Sequence, residues 1–244
     1  MRLYVINKFV TAAPSDGGST RVPTLKVKQV NGSEVEIADN KGKSKALYNA
    51  FFYPPPAAID IDPNFAYPPP KEHFRNVTDE QIHHAIKKLK PYLAPGPNGI
   101  SNSVFTHCAD ILVPWLGALY WAMFHLRHYP KCWQEYITIV LRKPVKPDYS
   151  NPKAYHPIVL LDMIAKILSS CVAEDLIYMA EKHQMLPLTH FGCCPGRTTT
   201  DSLHYLVKWI RDSMHKGLVV SVLFLNIAGA YPNTVIPRLI HNMH

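Results

Sequence analysis

Apolar positions first fall into helical register at residues 78–90. Thr78 and Gln81 have the spacing of a capping box, and Ile82, Ala85, Ile86 and Leu89 recur at helical intervals, which predicts an amphipathic helix running to about Lys90. Pro114 in a first-turn position, with Trp115, Leu119, Ala122, Met123 and Leu126 on one face, predicts a second helix. The β-branched run Ile137-Thr138-Ile139-Val140 reads as a strand, and Asp162 to about Lys182 as a long helix. Thr199 or Thr200 caps a further helix through Leu203, Val207, Ile210 and Met214, which Gly217 stops. The apolar run from Leu218 to Leu225 has the character of a buried strand. The predicted class is α+β with helices in the majority, without internal repeats.

The flanking sequence is different. Residues 1–46 are polar, with Gly17-Gly18, Asn31-Gly32 and the spaced Lys41, Lys43 and Lys45, a composition that punctuates turns and reads as a linker. Residues 47–76 hold two proline triplets, Pro54-Pro55-Pro56 and Pro68-Pro69-Pro70, on either side of Asp60 and Asp62. Such runs favour extended geometry and read as a surface spacer before they read as an SH3 ligand.

Composition narrows the class. Of 244 residues, 47% are apolar and 11% aromatic, too many for a disordered tail, and 26 Lys plus Arg against 18 Asp plus Glu leave a net charge of +8. A pI near 9.2 points to an anionic partner, most commonly nucleic acid, although charge alone serves solubility equally well. No obligate protein partner is inferred. The five cysteines are odd in number and their only close pair, Cys193 and Cys194, is adjacent, which fits a reducing intracellular compartment without separating nucleus from cytoplasm. The longest apolar run, Leu218 to Ile227, is half of the ~20 residues that span a bilayer, and residues 1–8 lack the apolar core of a secretory signal, so no membrane partner is expected.

Four segments carry candidate chemistry. Ala94-Pro95-Gly96-Pro97-Asn98-Gly99-Ile100 is a tightly prescribed loop. Arg142-Lys143-Pro144-Val145-Lys146-Pro147 sets three cations on a loop, where they meet phosphate or simply solvent. Phe191 to Asp201 places Arg197 and several hydroxyls ahead of a helix N-terminus; this suits an anion, while helix capping explains the threonines equally well. His190, Cys193 and Cys194 make a poor zinc set, because vicinal cysteines share tetrahedral geometry badly. Phe224 to Tyr231 ends an apolar run in Asn226, followed by small residues and an aromatic.

In this order the four segments, with Tyr155-His156-Pro157-Ile158 and Leu160-Leu161 between the second and third, resemble the reverse transcriptases of non-LTR retrotransposons, most closely those of fungal elements. The likeness covers about residues 72–244, and the polar stretch before it resembles the linker between endonuclease and polymerase. It implies a right-hand polymerase fingers region over 77–217 and the first palm strand with a helix start over 218–244. The resemblance assigns nucleotide contacts to Lys143, Lys146, His156 and Arg197, and the sugar-sensing aromatic gate to Tyr231, a residue that reads equally as a core aromatic at a helix entry.

It also implies inactivity. Reverse transcription resembles other two-metal phosphoryl transfers, with Mg²⁺ ions about 4 Å apart on palm carboxylates. The family has Asp where this chain has Asn226, and its Tyr-x-Asp-Asp strand lies beyond His244; no Asp or Glu follows Asp212. Mg²⁺ is therefore not expected to bind productively. Position 156 carries His in place of the family's triphosphate-binding Arg, Cys194 stands where Arg is usual, and Asn98 where Asp is usual. The expectation is a truncated, inactive reverse transcriptase. The alternative is a basic remnant that holds RNA or DNA weakly and without sequence preference.

Overall fold

The computed structural model describes residues 22–28, 32–54, 59–62, 64–70, 72, 75–227, 229–231 and 233–243. Among the described residues, eleven α-helices and β-strands follow one another, with short 3-10 helices at Lys131–Gln134 and Pro152–Ala154: β1 (Leu25–Lys28), β2 (Glu34–Ile37), α1 (Asn40–Phe51), α2 (Asp79–Lys87), α3 (Asn102–His107), α4 (Ala109–His125), β3 (Tyr136–Arg142), β4 (Tyr155–Leu161), α5 (Met163–Lys182), α6 (Thr199–His215) and α7 (Ile236–Met243). Helix outweighs strand, and the strands form two antiparallel pairs, β1 with β2 and β3 with β4.

Helix α2 starts as its sequence requires. The Thr78 hydroxyl accepts the Gln81 N–H while the Gln81 side chain accepts the Thr78 N–H, so two orphan donors of the first turn are satisfied. Ile82, Ala85 and Ile86 face inward and meet Val113, Leu116, Tyr120 and Met123 of α4, and Ile167, Leu168 and Cys171 of α5. These three helices make the main core. Tyr120 is fully buried, and its hydroxyl satisfies itself by donating to the Ile164 carbonyl at 2.8 Å.

Several expectations need correction. Helix α4 begins at Ala109, five residues ahead of Pro114, which lies inside it. Of the expected face only Met123 is buried, and it goes inward with Val113, Leu116 and Tyr120, while Trp115 and Leu126 are each 75% exposed. The helix is apolar all round, so periodicity does not choose a face. Thr198, not Thr199 or Thr200, caps α6, through a second capping box with Asp201.

The run 218–227 is not a buried strand. It pairs with nothing as a strand among the described residues and is largely exposed, Val219 at 97%. A strand needs a partner ladder as well as apolar side chains, and no described segment supplies one.

The polar N-terminal stretch builds more than turns. Strands β1 and β2 form a hairpin, and α1, capped by Asp39 accepting the Gly42 N–H at 2.7 Å, runs for 12 residues through position 46. Leu25 and Leu47 are buried with Ala154 and Tyr155 in a second, smaller core. The Lys26 N–H donates to the Ser150 carbonyl at 2.9 Å and ties the hairpin to the loop between β3 and β4. The described residues between Phe52 and Pro70 form no regular element and are mostly exposed. Helix α7 rests on them: Arg238 donates to the Asp60 carbonyl, and His241 shares a hydrogen bond with the Tyr67 hydroxyl at 2.9 Å. The expected Gly17-Gly18 turn, the signal-free start and Pro55-Pro56 lie outside the described residues. Among the described residues no helix is long and apolar enough to cross a membrane.

Candidate nucleic-acid interface

The Pro-Gly-Pro-Asn-Gly loop is docked, not free. Gly96 lies against the junction between β4 and α5, where an added Cβ would come within 2.5 Å of the Leu161 carbonyl carbon and oxygen and of the Asp162 nitrogen. Two residues on, the Asn98 N–H donates to the Asp162 carboxylate at 3.0 Å, and the Asn98 side chain turns back to accept the Ile100 N–H. Asp162 is buried and precedes α5 without capping it; its carboxylate receives the loop instead. Sequence reasoning placed Asp162 at a helix start and missed this role.

Three of the five candidate cation and nucleotide positions share one end of the β3–β4 hairpin. Lys143 leaves β3 with its N–H on the Ala154 carbonyl, and its ammonium donates to the Lys153 carbonyl at 3.0 Å. The Tyr149 hydroxyl closes the loop by donating to the Lys143 carbonyl at 2.8 Å, and the Arg142 guanidinium stacks over the Tyr149 ring at 4.7 Å. Lys146 is exposed within this loop. His156 sits exposed on β4 opposite Leu141, one step from the same end.

Arg197 is elsewhere and is engaged. Its guanidinium donates to the His190 carbonyl at 2.6 Å, approaches the Pro187 and Leu188 carbonyls at 3.5 Å, and pairs with Glu181 of α5 at 3.3 Å. It ties the 187–190 turn to the end of α5. Beside it Cys194 is buried, which pushes its thiol up, while Cys193 is exposed. Thr198 and Asp201 spend their oxygens on the α6 cap, the structural use weighed for this segment. Among the described residues no three His, Cys, Asp or Glu side chains gather as a metal site.

The same end of α5 holds a second charge cluster. Glu72 accepts from Lys182, His183 and Arg75, and these hydrogen bonds, that from Lys182 foremost, hold its carboxyl down at about 2. Asn226 and Tyr231 are both exposed, Tyr231 at 90%.

No family model matches the chain. It is 27% identical over 152 residues to the probable RNA-directed DNA polymerase from transposon BS of Drosophila melanogaster, an alignment covering 62% of this chain and 17% of that protein. Against the corresponding polymerase from transposon X-element of the same fly it is 28% identical over 151 residues, 62% of this chain and 16% of that one. A Pol polyprotein from the type-1 retrotransposable element R1 of Bradysia coprophila aligns over 199 residues at 24% identity, 79% of this chain and 19% of the relative. The homologues are thus RNA-directed DNA polymerases of fly transposable elements, at low identity. The chain spans less than a fifth of their length.

Proposed function

We propose that this chain is a fragment of a non-LTR retrotransposon reverse transcriptase, a fingers region over 77–217 leading into the first palm segment at 218–244, that holds nucleic acid without copying it. The polar residues 1–46 and the proline-rich arm 47–76 precede that region. The observation that carries the reading is the alignment of some 150 residues with RNA-directed DNA polymerases. Likeness to fungal elements rests on the loop motifs alone.

Asn226 supports the absence of chemistry. The family's reaction needs Mg²⁺ held by carboxylates, and an amide oxygen brings no charge to offset the dehydration of so hard an ion. Asn226 therefore does not fit the position of a metal-holding carboxylate. What this chain retains is positioning. Lys143, Lys146 and His156 can meet a phosphate at the hairpin end, Arg197 braces the turn ahead of α6, and Tyr231 keeps the shape of a sugar gate without a metal to serve. Five free thiols suit a reducing intracellular compartment.

Primer extension on an RNA template with Mg²⁺ tests the reading. Neither the chain nor its Asn226→Asp variant should incorporate nucleotide above a no-enzyme control. Template-dependent incorporation by either one overturns it.

A further inference from the structure

Helix α6 stands with no buried residue, and its exposed side chains are sorted by charge around its axis. At 3.6 residues per turn His204, Lys208, Arg211 and His215 fall within an arc of about 60°, all exposed. Leu203, Leu206, Val207, Ile210 and Met214 occupy a separate arc on one side of it. Tyr205 and Trp209, one turn apart and half exposed, occupy the other side. Two carboxylates belong to the helix near this arc. Asp201 is bound into the capping box, and Asp212 lies on the margin toward the aromatics.

We propose that this face of α6 is a docking surface for single-stranded nucleic acid, with the backbone along His204, Lys208, Arg211 and His215 and bases stacking on Tyr205 and Trp209. Charge complementarity argues for the occupant. Two fixed cations and two imidazoles stand in line over about 16 Å of helix, the rise of about five nucleotides of a stacked strand. Aromatic rings beside a basic track are what sequence-tolerant binding of single strands requires, because every base offers a face to stack. Tyr205 also packs on the Phe191 ring at 5.9 Å, and an anionic bilayer on the apolar arc would leave the Trp209 ring without a role. The inference rests on the fragment reading above and gives it a contact surface separate from the hairpin end.

The test uses the full chain and a fluorescein-labelled 20-nucleotide oligouridine, with anisotropy read between 50 and 200 mM salt. Lys208→Gln with Arg211→Gln should weaken binding about 10-fold and flatten the log–log salt slope by about 1.4, the value for two lost phosphate contacts on a single strand. Trp209→Leu should cost about 5-fold or more at unchanged slope. Asp212→Asn should tighten binding, a gain that a merely unfolded variant cannot give. Lys41→Gln with Lys45→Gln on α1, the charge-matched control, should change affinity less than about 3-fold. Equal losses in both double variants, wild-type affinity in the α6 variants, or recruitment to phosphatidylserine vesicles in place of RNA would each overturn the proposal. An inactive chain whose α6 variants bind RNA normally ends this inference and leaves the fragment reading standing. Primer extension ends the fragment reading whatever α6 does.

Discussion

Replacing Gly96 by alanine puts one methyl group where the backbone of the β4–α5 junction already is. All three atoms that the new Cβ would meet at 2.5 Å are main chain, so no side chain can rotate away. Ordinary carbon contacts need about 3.5 Å, and the loop must withdraw by about 1 Å. That withdrawal stretches the 3.0 Å bond from the Asn98 N–H to Asp162 beyond hydrogen-bond range and leaves a buried carboxylate without that donor. Overpacking costs about 1–3 kcal/mol and the lost bond to a buried charge a similar amount, so the expected destabilisation is about 2–6 kcal/mol. For a chain of this size that lowers the melting temperature by about 4–24 °C. Gly99→Ala is the control. Gly99 has φ +71° and nothing within 4 Å of an added Cβ, so only backbone strain of about 1–2 kcal/mol applies. Urea unfolding followed by circular dichroism measures both. A Gly96→Ala variant no less stable than Gly99→Ala would refute the steric argument.

Two further outcomes follow from charge and burial. Glu72 is held at about 2 by its cationic partners, so its contribution is complete above its ordinary value near 4.5 and disappears as pH falls toward 2. The melting-temperature difference between wild type and Glu72→Gln should therefore be constant above about pH 5 and shrink on acidification; a difference independent of pH would be the contrary result. Burial in the three-helix core, with Glu174 and Asp175 nearby, pushes the Cys171 thiol up to about 11. With Ellman's reagent at neutral pH the exposed Cys132 and Cys193 should react rapidly and Cys171 only after urea is added, and fast native labelling of Cys171 would contradict its burial.

Helices α2 and α5 and strand β3 were legible in the sequence because their determinants are local: a capping box, a periodic stripe, a β-branched run. Helix α1 was not, because lysines and small residues hide a stripe anchored by the single buried Leu47. Strand β4 escaped because Pro157 and His156 interrupt its apolar pattern, although β3 pairs with it throughout. The site followed the same rule. Lys143, Lys146 and His156 were picked out as cations or nucleotide contacts, and the hairpin brings them to one end. The carbonyls that engage Arg197 and the carboxylate that receives the 94–100 loop come from folded turns and from 64 residues away, and no spacing in the chain announces them.

The seam between the N-terminal hairpin and β4 sets an order of events during synthesis. Leu25 and Leu47 have no core to enter until Ala154 and Tyr155 exist, and Lys26 waits for Ser150. The ribosome makes α1 and then adds about 100 residues, some 5–20 s of translation, before the partner surface is complete. Throughout that interval Leu25 and Leu47 wait for Ala154 and Tyr155 to cover them, so their burial marks a late step of folding rather than an early one.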